Sequence, residues 1–414
     1  MAYCLNMPLK LLKVHAGCSG NFLRHELTSF KGCYQVMYKD KKLKKNLKGM
    51  ILAAGQGTRV RPLTKNLPKP MIPVLGKPVM EYLVEHLVRH GVTEIMINVG
   101  HHYHMIEHYF GDGHRWGAQI GYSYEGIYDH GDIKPSPFGS AGGMRHIQDF
   151  SGFFDQTTIV ICGDALIDLD ITTALFEHIN KKALVSIVAK EVLDSEVEQY
   201  GIVQTDDNGR ITGFQEKPKQ ADARSNLAST GIYFFEPEAL KLIPKNTFFD
   251  IGSQLFPMLV EKNYPFFAQK RFYNWVDIGQ IADYWLVMQR ILQGEVSYIE
   301  MPGVEVKPGI WVGINTRIDW DNITIKGPVY IGSGTHIESG VNIIGPCWIS
   351  HGCQIKKNSQ IVRSILFEYT RVSKNMLIDE LVISSTYCVN RNSETYYVGD
   401  DRCTLKWGDA RVKT

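Results

Sequence analysis

Between residues 331 and 361 an isoleucine returns at every sixth position: Ile331, Ile337, Ile343, Ile349, Ile355 and Ile361. Ile325 extends the series backward. After a one-residue deletion it resumes at Leu366, Val372 and Ile378. A period of six matches neither the 3.6-residue helix nor the simple alternation of a strand. It matches a parallel β-helix, where each hexad is one short face and successive coils bury each other's apolar row. Gly332, Gly340, Gly345 and Gly352 mark its corners. An ordinary antiparallel sheet is the competing reading, and so unbroken a run disfavours it. Residues 296–414 are therefore expected to form a solenoid.

The preceding part of the chain is organised around ILAAGQGTRVRPLTKNLPKP, residues 51–70. The apolar run Gly49 to Ala54 reads as a buried strand. It breaks at Gly55-Gln56-Gly57, where a bare backbone can bring N–H groups against a phosphate. Thr58, Arg59 and Arg61 follow, then Lys69 between two prolines. Arginine supplies forked, permanently charged donors, and lysine a mobile point charge. The stretch reads as a nucleoside triphosphate loop, although it lacks the GxxxxGK[ST] of the common P-loop. Alone, GxG fits a mere turn as well as it fits a phosphate site. The ordered Thr-Arg and Pro-Lys-Pro make the phosphate reading the stronger one.

Strands and helices alternate after the loop. The spacing predicts a helix from Gly76-Lys77-Pro78 to Gly91, a strand over Glu94–Val99, a helix over His101–Phe110 and a strand over Ala118–Tyr124. His101, His102, His104 and His108 are surface or capping residues on this reading, because no carboxylate or cysteine set completes a metal pattern. Residues 128–138 read as a loop, with Gly139-Ser140-Ala141-Gly142-Gly143 leading into a helix near Met144. Small residues there let a flat ring lie against backbone; the alternative is a hinge.

Thr158–Cys162 is a strong strand that ends at Gly163-Asp164. In open α/β sheets ligands sit beyond the carboxyl ends of strands. Asp164 is thereby placed to hold Mg²⁺, a hard cation that takes carboxylate and phosphate oxygens. Asp170 reads as a helix cap. Asp206-Asp207-Asn208-Gly209 signals a hairpin. Its second strand ends at Glu216 and Lys217, a carboxylate suited to sugar hydroxyls and an amine suited to a phosphate. Thr230 and Gly231 open another strand, and Asp277 lies between a strand and a helix as a second metal-ligand candidate.

Six motifs in order, GxGTRxRPLT with PKP, GSAGG, GDALIDLD, FQEKP, STGIYFF and WVDIG, resemble the sugar-1-phosphate nucleotidyltransferases, most closely mannose-1-phosphate guanylyltransferase-like proteins with a hexapeptide-repeat tail. The resemblance runs from about Lys48 to the C-terminus. It implies an α/β fold: a Rossmann-like mixed-sheet nucleotidyltransferase domain over 48–295, then a left-handed parallel β-helix over 296–414. It implies that Leu52, Ala53, Ala54, Gly55, Gly57, Thr58, Arg59 and Lys69 bind the nucleotide, with Gly55, Gly57, Thr58 and Arg59 on the triphosphate and Arg59, Lys69 and Asp164 catalytic. Gly139, Ser140, Ala141 and Gly142 would frame the base, where relatives more often carry Thr in place of Ser140. Gly201, Glu216, Thr230 and Gly231 would line the sugar and Lys217 its phosphate. Asp164 and Asp277 would bind Mg²⁺. The implied reaction joins a nucleoside triphosphate to a sugar-1-phosphate and releases pyrophosphate, with GDP-mannose from GTP and mannose-1-phosphate as the expected product. Glucose-1-phosphate uridylyl or thymidylyl transfer is the alternative. A non-catalytic regulatory paralogue is the rival of another class, and the presence of Arg59, Lys69, Asp164, Lys217 and Asp277 speaks against it. Acetyl transfer with His336 or His351 as base is disfavoured by the short repeat. The tail implies a homo-oligomer formed through the C-terminal domain.

Charge narrows the partners. Residues 1–48 hold ten Lys and Arg against two acidic residues, whereas the rest of the chain holds 35 basic and 41 acidic residues. A mildly acidic body argues against general nucleic-acid binding. No apolar run approaches the roughly 18 residues of a membrane span. The basic segment 1–47 is read as an extension or a mis-assigned start, with translation expected to begin near Leu47 or Met50. The eight cysteines, Cys4, Cys18, Cys33, Cys162, Cys347, Cys353, Cys388 and Cys403, show no CxxC spacing. A reducing cytosol is the expected setting.

Overall fold

The isoleucine row wraps as its period requires. The computed structural model describes residues 47–130, 132–135, 138–296 and 299–412; the expectations for residues 1–46 lie outside them. From Ile310 to Ile383 the chain winds through three parallel sheets. Residues three hexads apart stack on each other: Ile331 on Ile349, Ile337 on Ile355 and Ile343 on Ile361. The deletion merely shortens a coil, since Ile349 pairs with Leu366, Ile355 with Val372 and Ile361 with Ile378. All nine side chains from Ile331 to Ile378 are 0–1% exposed. The end of the solenoid is antiparallel. Tyr387–Asn390 pairs with Leu381–Ile383, and Trp407–Asp409 covers Thr370–Val372.

The N-terminal half is a nine-stranded mixed sheet. Its strands are β1 (Lys48–Ala53), β2 (Glu94–Val99), β3 (Gln119–Tyr124), β4 (Thr158–Cys162), β5 (Val185–Glu191), β6 (Gly201–Thr205), β7 (Ile211–Glu216), β8 (Leu227–Phe235) and β9 (Phe266–Lys270). The main path runs β7-β6-β8-β4-β1-β2-β3, and β5 pairs with β8 and β9. β1 lies parallel between β2 and β4. A strand covered on both edges and both faces is largely apolar, as Met50, Ile51 and Ala53 are. The helices are α1 (Val79–Arg89), α2 (Tyr103–Phe110), α3 (Ser140–Ser151), α4 (Ile171–Asn180) and α5 (Ile281–Leu292). As expected, Asp170 caps α4, its carboxylate accepting from Thr173 N at 3.0 Å.

Two expectations fail here. Residues 128–138 are not simply a loop: Gly126–Asp129 and Asp132–Pro135 pair as an antiparallel hairpin. Local composition marked the turn but could not supply the pairing partner. And α3 begins at Ser140, so Ser140, Ala141 and Gly142 form its first turn rather than a loop before it.

Residues 48–414 form one compact unit. α5 joins its halves by packing Tyr284, Trp285, Met288 and Ile291 into one core with Trp348, Ile365, Val382 and Val389 of the solenoid. Trp285 also donates its indole N–H to Arg363 O at 2.9 Å. No helix among the described residues is long and apolar enough to cross a membrane.

Candidate functional site

The buried run of β1 ends at Ala53, and the chain turns over the carboxyl edge of the sheet. Gly57 has φ 60°, and a Cβ there would lie 2.9 Å from Lys69 Cβ. Only glycine meets both demands. Thr64 pins the turn by donating to Gly57 O at 2.7 Å. Thr58–Val60 is a short 3₁₀ turn anchored by buried Val60, which leaves Arg59 exposed.

The proline-flanked turn Lys69–Met71 aims Lys69 Nζ at two carboxylates. It donates to Asp164 Oδ2 and lies 3.9 Å from Asp277 Oδ1. The sequence separates those carboxylates by more than a hundred residues. They meet because Trp275–Asp277 pairs antiparallel with Ala165–Ile167, placing Asp277 opposite Ala165. Asp168 fixes that register: its carboxylate accepts from Asn274 N at 2.6 Å and Asn274 Nδ2 at 2.7 Å. Burial, reinforced by the Asp164 charge, pushes the Asp277 carboxyl well above the usual range, against the pull of Lys69. Burial also works against the Lys69 ammonium, but Asp164 and Asp277 together raise its pKa. Two converging carboxylates with surplus negative charge suit a hard divalent cation, which takes its other oxygens from water and phosphate. Among the described residues no group of three or more His, Cys, Asp or Glu converges, so the α2 histidines form no such set.

A cavity of about 450 Å³ opens over this edge. Leu52, Ala53, Ala54, Gly55, Lys69, Gly139, Ser140 and Asp164 line it, all expected from the sequence. Gln56, Asn98, Gly100, His101, Glu125 and Cys162 line it as well and were not anticipated. Asn98 carried a signal: it is a polar residue at the carboxyl end of an otherwise apolar buried strand. It is 1% exposed and donates to Glu125 Oε1 at 2.7 Å. Among the described residues its Oδ1 has no partner. Burial raises the Glu125 carboxyl, and the Asn98 bond only partly offsets it.

The remaining expected residues divide. Gly201 and Glu216 face each other across β6 and β7. Lys217 follows with φ 46°, its Nζ 3.6 Å from Glu216 Oε1. Gly231 abuts Cys162: a Cβ there would lie 2.8 Å from its Sγ. Thr230 does not present its hydroxyl to the cavity. The hydroxyl donates to Val188 O at 2.8 Å and accepts from the Tyr273 hydroxyl at 2.7 Å, so this buried residue is a tether. Ala141 is fully buried, and Gly142 N is already bonded to Phe249 O at 2.8 Å. Neither lines the cavity: Ala141 packs into the hydrophobic core and Gly142 lies against the Phe249 backbone.

Comparison with known proteins agrees with this architecture. The nucleotidyl transferase family matches residues 48–294. A UTP–glucose-1-phosphate uridylyltransferase of Synechocystis sp. is 49% identical over 345 residues, covering 83% of this chain and 89% of that protein. A glucose-1-phosphate adenylyltransferase of Fervidobacterium nodosum is 27% identical over 82% of this chain and 83% of its own length. A mannose-1-phosphate guanylyltransferase of Mycobacterium tuberculosis is 25% identical over 80% and 82%. With that family matching residues 48–294, a relative 49% identical over most of both chains, and the mixed sheet and solenoid tail in place, the chain belongs to the nucleotidyl transferase family, among the sugar-1-phosphate nucleotidyltransferases.

Proposed function

We propose that this protein transfers a uridylyl group from UTP to glucose-1-phosphate. The observation that carries the reading is the 49% identity, over most of both chains, to a relative named for that reaction. The guanylyl relative stands at 25%. GTP with mannose-1-phosphate, first favoured from the motifs, therefore gives way to the glucose-1-phosphate alternative.

The chemistry asked of the site is a direct displacement. A phosphate oxygen of the sugar-1-phosphate attacks the α-phosphorus, a new P–O bond forms, and the bond to the β-phosphate oxygen breaks with release of pyrophosphate. The nucleophile is already anionic, so no general base is needed. Positioning and charge neutralisation supply the rate. The Gly55–Gly57 turn offers backbone donors to the triphosphate. Lys69 and Arg59 neutralise the transferred phosphoryl, and Lys217 receives the acceptor phosphate beside Glu216. Asp164 and Asp277 would hold Mg²⁺, which would supply positive charge to screen the crowded phosphate oxygens. Lys69, tethered between those carboxylates, keeps its ammonium at the reacting centre. On the base side, Asn98 and Glu125 offer polar groups at the rim of an otherwise small-residue cavity.

The test is pyrophosphate release in Mg²⁺ buffer, with UTP, dTTP, GTP and ATP each paired with glucose-1-phosphate and mannose-1-phosphate. UTP with glucose-1-phosphate should give the highest kcat/KM. A higher value for GTP with mannose-1-phosphate overturns the specificity, and silence across the panel overturns the activity.

A further inference from the structure

The segment Thr247–Ser253 belongs to none of the six motifs, yet it touches both sides of the site. Ser140, at the start of α3, donates its hydroxyl to Asp250 Oδ2 at 2.8 Å, and its oxygen accepts from Ile251 N at 2.8 Å. Phe249 closes the same junction: its N–H donates to Phe138 O and its carbonyl accepts from Gly142 N, both at 2.8 Å. The approach is so close that side chains are excluded. A Cβ on Gly139, which has φ 77°, would lie 2.7 Å from Phe249 O, and one on Gly142 would lie 2.9 Å from Thr247 O. The glycines of this turn are thus explained by the strap laid across them as well as by the cavity they border.

The strap then reaches the acceptor side. Asp250 caps the π-helical turn Ile251–Leu255, its Oδ1 accepting from Ser253 N at 2.8 Å and from the Ser253 hydroxyl at 2.9 Å. The second residue of that turn, Gly252, lies against Glu216: a Cβ there would fall 2.5 Å from Glu216 Oε2. One carboxylate thus divides its oxygens between two elements, Oδ2 to the nucleotide turn and Oδ1 to the turn that backs Glu216. Burial opposes its ionisation, but the hydrogen bonds from Ser253 and Ser140 outweigh that and hold its pKa below the usual carboxylate value.

We propose that Asp250 is a positioning residue: through Ser140 it fixes the Gly139–Ser140 turn against the nucleotide, and through Gly252 it fixes Glu216 against the sugar. It acts through those groups and touches no reacting atom. The proposal rests on the reading above, in which the cavity takes the nucleotide and the Glu216 side takes the sugar phosphate. A merely structural strap would alter only how much enzyme folds. A positioning strap alters the affinity of folded enzyme for two substrates at once.

The experiment is steady-state kinetics on the full chain and on Ser140→Ala, Asp250→Asn and the double variant, with a melting temperature for each. A hydrogen bond to a charged group corresponds to about tenfold or more in affinity. Ser140→Ala should raise KM for UTP about tenfold and leave KM for glucose-1-phosphate within about twofold. Asp250→Asn should raise both KM values about tenfold. The two changes should combine less than multiplicatively in KM for UTP, because both disturb the Ser140–Asp250 hydrogen bond. Unchanged KM values with a lower melting temperature overturn the proposal, as do strictly multiplicative effects in the double variant. If another nucleotide and sugar phosphate prove to be the preferred pair, the same split is read with that pair. A wild-type enzyme silent on every pair removes the functional reading, and the positioning role with it.

Discussion

Lys69→Met tests the charge balance at the centre of the site. Its side chain is 12% exposed and its ammonium bonds Asp164 while lying 3.9 Å from Asp277. At an effective dielectric of about 20, two unit charges 4 Å apart interact by about 4 kcal/mol. If that ammonium faces the transferred phosphoryl at similar range, its loss removes about 4 kcal/mol of transition-state stabilisation, or roughly 10³-fold in turnover. Stability should fall too, because removing one partner of a buried ion pair costs about 3–5 kcal/mol. The lower figure applies here, since Asp277, already shifted upward by burial and Asp164, protonates readily and relieves the repulsion. The assay is pyrophosphate release with saturating substrates, run beside urea unfolding followed by tryptophan fluorescence. The companion Lys69→Met/Asp277→Asn should recover part of the stability and none of the turnover. Turnover of Lys69→Met within tenfold of wild type refutes the charge role. Turnover that returns with stability in the companion variant shows that the loss came from folding.

Three further outcomes concern the histidine at the core, the solenoid row and the Gly139 turn. Burial pushes the His86 imidazole down to about 4, whereas the unfolded chain titrates near 6.5. The unfolded state therefore binds the proton first, and up to about 3 kcal/mol of stability is lost as pH falls from 6.5 to 4; His86→Gln should show a smaller drop in urea midpoint between pH 7 and 4.5 than wild type. Ile343 is fully buried in the solenoid row, so Ile343→Ala should destabilise by about 2–5 kcal/mol, read as a lower unfolding midpoint with kcat unchanged. Gly139→Ala meets Phe249 O in a backbone region reserved for glycine; a strain of about 1–3 kcal/mol should appear as weaker nucleotide binding by calorimetry, and unaltered affinity would show that the turn yields.

The sequence states local repetition and local punctuation well. The hexad row needs only its own period, because each isoleucine contacts its equivalents one coil away in a fixed register. The turn after β1 is similarly local: a buried strand, two glycines and a proline-bracketed lysine within twenty residues. The hairpin at Asp206–Gly209 and the Asp170 cap are of the same kind. The loop reading of residues 128–138 missed a hairpin because strand pairing depends on a partner, not on composition. The direction of the Thr230 hydroxyl was not legible, because a hydroxyl at a strand mouth can turn inward as easily as outward, and Tyr273 decided which.

By itself, then, the sequence determined the two-part architecture, the glycine turn after β1 and the family. Tertiary structure decided which groups meet. Lys69, Asp164 and Asp277 converge only when two short strands pair behind them. Asn98 finds Glu125 across the β2–β3 edge. Ser140 finds Asp250 from 110 residues away. Such contacts follow from chain closure over long separations, where many partners compete for each polar group and only the packed sheet selects one.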